Sequence, residues 1–272
     1  MSGTKAGNFD WTLLYAGYKL EKQGKLSDQV RGPLMSRAAE VLAAALTKAE
    51  PAQKPTQGAW VYDDAYQPVS SMIGLACDLL GSAKGETGLA ELRRAAKLTD
   101  EHASAFAAGS LVQRGEKVES AVIERICAGA IGWGRLVPRL AKAKQEGLVP
   151  QSVQTLEAAA RANMVTWLVY PTELGREPEE IALVKSFDAG EGAEAERYYI
   201  FKFRSDADGF KEKGWMMGLS GPFDAAKPFT QPAGRHTFSR FEPIGKGTGE
   251  EQANEIIEQV KQAQRERAKK GE

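Results

Sequence analysis

The apolar residues change their spacing part-way along the chain, and this change constrains the fold more than any single motif. Up to residue 165 they recur every three or four positions, which is typical of amphipathic helices. In the segment 197–204, RYYIFKFR, they alternate, so that Tyr199, Phe201 and Phe203 share one side of a half-buried strand. The sequence therefore predicts an α+β fold with a mainly helical first part and a small antiparallel sheet after it.

The first helix is expected to start at Asp10, a good N-cap residue, and to end before Gly24. Its apolar residues Trp11, Leu14, Tyr15 and Tyr18 follow the spacing of one helical face. Two further helices are expected at 33–49 and 69–80, and shorter ones follow from Thr87 at 89–98, 101–114, 118–130 and 132–145.

The shorter helices come in pairs, and the second helix of each pair ends at a similar stop signal. These signals, Gln113 to Gly115 and Gln145 to Gly147, lie 32 residues apart. Two helices per period of this length are typical of stacked helical repeats. Residue identity between the two pairs is poor, so an irregular helical bundle remains the alternative.

The sheet is expected from four short segments, and a charged helix with a thin apolar stripe is expected at 250–270. The predicted domains are a helical domain at 1–165, a small antiparallel α+β module at 166–245 and a C-terminal helix at 246–272. The four predicted strand segments are 181–187, 197–204, 215–219 and 236–241.

Composition excludes several classes of function. The chain has 36 basic and 36 acidic residues, so it lacks the basic excess that nucleic-acid binders normally show, and this argues against nucleic-acid binding. It has no apolar run long enough to span a membrane and no apolar signal-peptide core near the N-terminus. Two cysteines, Cys77 and Cys127, are too few for a disulfide framework, so we expect two buried thiols and a reducing, cytoplasmic location.

The region Leu89–Pro150 resembles HEAT-like repeats. Its first part, LAELRRAAKLTDEHASAFAAGSLVQRGE, looks like the usual unit of an amphipathic helix, a turn containing aspartate and an alanine-rich inner helix. The segments VTWLVYPTELGREPEEI, YYIFKFR and GWMMGLSGPF are similar to a C-terminal module of uncharacterised bacterial HEAT-repeat proteins. The resemblance implies a helical protein-binding scaffold with a small α+β module. It implies no catalytic residue.

No arrangement of reactive residues indicates catalysis or cofactor binding. The two histidines and two cysteines are not spaced as metal ligands, so we expect no metal. Ser220, Asp224 and His236 occur in the order of a hydrolase triad, but GLSGP lacks the second glycine of a nucleophile elbow. The run Gly245 to Gly249 does not match a phosphate-binding loop, and we expect no cofactor.

A non-enzymatic function, binding another protein through a helical surface, therefore fits the sequence best; neutralisation of a partner, as by an immunity protein, is one form of it. The predicted partner-binding residues are Trp60, Tyr62, Trp133, Arg135 and Arg139, since tryptophan and arginine dominate binding hot spots. The HEAT-like fold also occurs in a DNA glycosylase family, but the helical half carries only 20 basic against 17 acidic residues, which argues against nucleic acid.

An enzyme or small-ligand-binding protein is the alternative, with a site between the helical domain and the sheet module. That site would involve Trp167, Glu173, Trp215 and His236. Apolar neighbours at the right spacing also favour a core position for Trp167 and Trp215. The sequence leaves the oligomeric state open.

Overall fold

We describe the protein from a computed structural model, which covers residues 3–53, 65–169, 177–190, 195–204, 214–224, 226–230, 238–244 and 249–270. The fold is α+β, as the change of apolar spacing predicts. Contacts between residues divide the chain into two compact units, Met1–Pro150 and Gln151–Glu272.

The described residues of the first unit form helices joined by turns, with no strand among them, and the helices pack in two layers. Its helices are α1 (Gly3–Lys22), α2 (Asp28–Ala49), α3 (Gln67–Leu80), α4 (Leu89–Ala95), α5 (Glu101–Gln113), α6 (Ser120–Ala128) and α7 (Ala130–Lys142). Helices α2, α4 and α6 each pack on the helix that follows them, while α1, α3, α5 and α7 lie side by side. The four short helices expected after Thr87 are thus present.

Helix α1 starts earlier than expected, because Asp10 does not cap it. Asp10 lies inside the helix, and its carboxylate accepts hydrogen bonds from the Arg37 guanidinium of α2, with Nη2 2.8 Å from Oδ1. Gly17 lets α1 approach α2 closely, since a β-carbon there would lie 2.3 Å from a methyl carbon of Leu34. Asp10 therefore links α1 to α2 instead of capping the N-terminus of α1.

Helix α5 begins at a buried polar network centred on Asp100. The Asp100 carboxylate accepts hydrogen bonds from the backbone N–H groups of His102 (3.0 Å) and Ala103 (3.3 Å). It also accepts from the hydroxyls of Ser70 (2.6 Å) and Tyr66 (3.1 Å), which belong to α3 and the residue before it. This buried carboxylate is satisfied as the cap of α5 and fixes α5 to α3.

Helix α7 begins in a similar way, against the side chain of Glu101. The Glu101 carboxylate accepts a hydrogen bond of 2.8 Å from the backbone N–H of Gly132, in the first turn of α7. A β-carbon at Gly129 would lie 2.1 Å from both Glu101 carboxylate oxygens, so only glycine leaves room for this contact. A buried carboxylate at the positive end of a helix is electrostatically favourable.

The second unit is a four-stranded antiparallel sheet with one helix on each face. The sheet order is β1-β2-β3-β4, and β-bulges interrupt the register between β1 and β2 and between β2 and β3. Its elements are α8 (Leu156–Val169), β1 (Glu180–Ala189), β2 (Glu196–Arg204), β3 (Trp215–Asp224), β4 (Phe238–Pro243) and α9 (Gly249–Lys270). The expected boundary at residue 165 falls inside α8, and α8 packs on the sheet.

Alternation along the central strand β2 separates the two cores of this unit. Tyr199, Phe201 and Phe203 face α8, as the sequence pattern predicts for one side of this strand. Tyr198 and Ile200 face α9, which contributes the buried side chains of Ala253, Ile256 and Ile257. Because both faces of β2 are covered, the strand is buried on both sides along most of its length, more than the half-burial that we expected.

Candidate functional site

Four of the residues predicted to form sites lie outside the described part of the chain: Trp60, Tyr62, Glu173 and His236. Trp133 is described and is only 4% exposed. It lies with the buried residues of α7, so its side chain belongs to the core of the helical unit and presents no surface to a partner.

The two predicted arginines lie on the partly exposed side of α7. The Arg139 guanidinium carbon is 3.7 Å from the centre of the Phe106 ring on α5, and its Nη2 is 3.2 Å from Oδ1 of Asp78 on α3. Its Nη1 donates a hydrogen bond of 2.8 Å to the backbone carbonyl of Arg135. Gly109 makes room for this arrangement, because a β-carbon there would lie 2.4 Å from Cδ of Arg139.

His102 extends this cluster towards the start of α5. Its ring centre lies 4.6 Å from that of Phe106, and its Nε2 would lie 2.9 Å from a β-carbon at Gly74 on α3. Its Nδ1 is buried and has no hydrogen-bond partner among the residues that the structure describes. Burial, and then the charges of Arg135 and Arg139, lower the pKa of His102 to about 3. The imidazole is therefore neutral at physiological pH.

Aromatic side chains form a stripe on α1. The rings of Trp11 and Tyr15 are stacked with their centres 6.3 Å apart, although these residues are 39% and 44% exposed. The ammonium groups of Lys19 and Lys22 each lie 5.2 Å from a ring centre, those of Tyr15 and Tyr18 respectively. Ammonium groups at this distance interact favourably with aromatic rings.

The sequence grouped these aromatic residues with Leu14 on one apolar face, but the structure separates them. Leu14 and Gly17 are buried, whereas the aromatic stripe lies beside this buried face. Partial burial and then the Asp78 carboxylate raise the pKa of Tyr18, and the charge of Arg139 also acts on it. The Tyr18 ring therefore lies near the arginine cluster. We call the combined surface the cross-helix face: Trp11, Tyr15, Tyr18, Lys19, Lys22, Asp78, His102, Phe106, Arg135 and Arg139.

The lysines on α1 are the signal in the sequence that points to this stripe. Tyr15 and Tyr18 are each followed by a lysine four residues later, so each lysine lies on the same helical face as its tyrosine. A purely internal helix face would not carry these charges.

The cross-helix face combines cations, aromatic rings and one carboxylate, and this set suits recognition of a ligand more than chemistry. Three reactive side chains elsewhere in the described chain are buried. Ser220 is buried and donates a hydrogen bond of 3.0 Å to the carbonyl of Ala160, so it is not an accessible nucleophile. Cys77 and Cys127 are buried, unpaired thiols as predicted, and burial raises the pKa of Cys127 to about 12.

The residues of the alternative site that are described do not come together. Trp167 lies on α8 and is 38% exposed, where we expected a core residue. Trp215 lies on the opposite side of the sheet from α8, where the Lys202 ammonium is 5.0 Å from its ring centre. The sheet therefore separates these two tryptophans.

Within the described ranges, no three His, Cys, Asp or Glu side chains lie close enough together to hold a metal ion. None of the helices described there combines the length and the hydropathy of a membrane-spanning segment. Comparison with known proteins gives no match: neither a protein-family model, nor a curated protein, nor a solved structure is significantly similar to the chain.

Proposed function

We propose that this protein is a non-enzymatic binding or adaptor protein and that its helical unit engages another protein through the cross-helix face. The observation that carries the proposal is the stacked pair of Trp11 and Tyr15, which remains exposed on α1. A large aromatic side chain that stays in water does not gain the favourable free energy of hydrophobic burial. When a partner covers such side chains, they dominate the binding energy of the interface.

The cluster behind this pair supports the same function. Arg139 is held between Phe106 and Asp78, so its guanidinium is fixed before any partner arrives. Fixing such a long side chain in advance lowers the entropy lost on binding. The interacting surface would thus consist of a rigid arginine cluster on α3, α5 and α7 beside the aromatic stripe of α1.

We further propose that these helices are HEAT-like repeats that form one continuous binding surface, as in stacked helical arrays. The side-by-side packing of α1, α3, α5 and α7 supports this arrangement. The two unpaired, buried thiols fit a reducing cytoplasm. Neutralisation of a partner protein, as by an immunity protein, is one activity that such a surface would perform.

Substitution of the aromatic stripe tests the proposal. In extracts of the source cells, chemical cross-linking should join the unchanged chain to a partner protein. The variant Trp11→Ala, Tyr15→Ala should not be cross-linked to that protein. The matched control is Phe9→Ala, since Phe9 is 68% exposed on the other side of α1. The captured protein is then purified, and its affinity for the three chains is measured by calorimetry.

The affinity should fall by about thirtyfold or more for the stripe variant and stay within about twofold for the control. The proposal fails if no captured protein distinguishes the stripe variant from the control while both keep the helical circular-dichroism spectrum.

A further inference from the structure

We propose that the cross-helix face recognises an acidic segment of its protein partner, one rich in aspartate and glutamate with apolar side chains between them. This inference rests on the proposed function and adds the chemistry of the partner. It follows from the charges of the face, from the way its cations are held, and from the charge of the whole chain.

The described charges of this face are unequal. Among the described residues of this face, the cations Lys19, Lys22, Arg135 and Arg139 accompany the carboxylate of Asp78. His102 is neutral, because burial lowers its pKa to about 3, so it adds no further positive charge. A surface with this excess of positive charge attracts acidic partners and repels basic ones.

The geometry of the cations suits carboxylates interspersed with apolar groups. Each lysine ammonium lies over a tyrosine ring of the same stripe, so a charged site and an apolar site alternate along α1. Arg139 is 26% exposed in its side chain and already holds one carboxylate, that of Asp78, at 3.2 Å. A guanidinium has five N–H donors, and it can bind a second carboxylate from a partner.

A nucleic-acid partner would use the same cations, but the whole chain disfavours it. The 36 basic and 36 acidic residues leave no net positive charge to attract a phosphate backbone. Residues 1–165 carry 20 basic and 17 acidic groups, a small excess for a surface that would have to follow many phosphates. An acidic protein segment requires only the few cations that this face presents.

Random peptides displayed on phage provide a direct test with the full-length chain as the immobilised target. Peptides enriched on the unchanged chain should be acidic, and they should not be enriched on Trp11→Ala, Tyr15→Ala. An enriched peptide, labelled with a fluorophore, should bind Lys19→Glu, Lys22→Glu about tenfold more weakly. The matched control is Lys48→Glu, an exposed lysine at the end of α2, which should bind as the unchanged chain does.

Two further measurements separate the attraction of charge from simple apolar binding. Replacing each Glu and Asp of the labelled peptide by Gln and Asn should weaken binding by about tenfold or more. The affinity of the acidic peptide should also fall as salt is added, because salt screens exposed charges.

The outcomes distinguish this inference from the proposed function. Enriched peptides that are neutral or basic, yet depend on Trp11 and Tyr15, would overturn the acidic partner and leave the protein-binding function standing. If instead no peptide depends on the stripe, and single-stranded oligothymidylate binds in a way that requires Lys19 and Lys22, both the inference and the proposed function are wrong.

Discussion

At the scale of single residues, His102 stays uncharged in the folded protein at any pH well above its lowered pKa of about 3. The unfolded chain, in contrast, binds a proton on this residue as the pH falls below the ordinary histidine pKa of 6.5. Between these two values the unfolded state holds more protons than the folded state. The stability contributed by His102 is therefore complete above pH 6.5 and is lost as the pH falls towards 3.

The variant His102→Leu tests this linkage. From pH 7 to pH 5, His102 should lower the free energy of unfolding of the unchanged protein by about 2 kcal/mol, and the variant should lack this loss. The measurement is urea denaturation at both pH values, followed by circular dichroism. Since other titrating groups are common to both proteins, equal pH dependence in the two would contradict the prediction.

Gly132 is a residue whose lack of a side chain the fold requires. A β-carbon there would lie 2.1 Å from the backbone carbonyl oxygen of Ile126, and a backbone atom cannot move aside as a flexible side chain can. Gly132→Ala should therefore reduce the free energy of unfolding by about 2–4 kcal/mol. Gly32→Ala is the control: no atom lies within 4 Å of its β-carbon position, and the change should be below about 1 kcal/mol. Urea denaturation compares the two, and equal losses would refute the argument.

At the scale of elements, α9 shows how one helix stabilises the sheet. Its side chains Ala253, Ile256 and Ile257 are buried against β1, β2 and β3. Ile257→Ala should lower the free energy of unfolding of the second unit by about 2–4 kcal/mol, because it leaves a cavity between α9 and the sheet. The neighbouring exposed Glu258 provides a control, and Glu258→Ala should change this energy by less than about 0.5 kcal/mol. Thermal or urea unfolding of both variants measures the difference.

Helices and strands whose apolar residues recur at a regular spacing were predictable from the sequence, because burial of one side of a helix or strand imposes that spacing. The alternation in 197–204 predicted β2, and the apolar stripe at Ile256 and Ile257 predicted the contact face of α9. The exposure of Trp11 and Tyr15 was not predictable in this way. Periodicity shows which residues share a face, but which part of that face meets a neighbour depends on how α1 packs on α2 and α3.

For a related reason, the sequence could single out the arginines of the cluster but not the residues that they contact. Tryptophan and arginine content singled out Arg135 and Arg139, and both lie on the cross-helix face. Their partners could not be read from the sequence, since Asp78 is 61 positions away from Arg139. Only the side-by-side packing of α3, α5 and α7 brings these groups together, through the space left at Gly109.

At the scale of the whole molecule, the net charge of zero conceals an uneven distribution of charge. The acidic and basic residues cancel over the full sequence, while the described part of the cross-helix face is positive. Net charge governs solubility and long-range attraction, but recognition depends on the charges that meet a partner. The zero net charge is therefore compatible with the acidic protein segment that we propose as the partner.

The division into Met1–Pro150 and Gln151–Glu272 predicts that each unit folds alone. The two apolar clusters of the sheet, one under α8 and one under α9, draw all their described members from the second unit. A chain that ends at Pro150 should therefore keep a cooperative helical unfolding transition, and a chain that starts at Gln151 should keep a dispersed NMR spectrum typical of a packed sheet. A chain cut instead after residue 165 divides α8 and removes Ala160 and Met164 from the cluster that contains Phe201, so its second fragment should lose this dispersion. Folding of the fragments cut at 165 but not at 150 would show that α8 belongs to the helical unit.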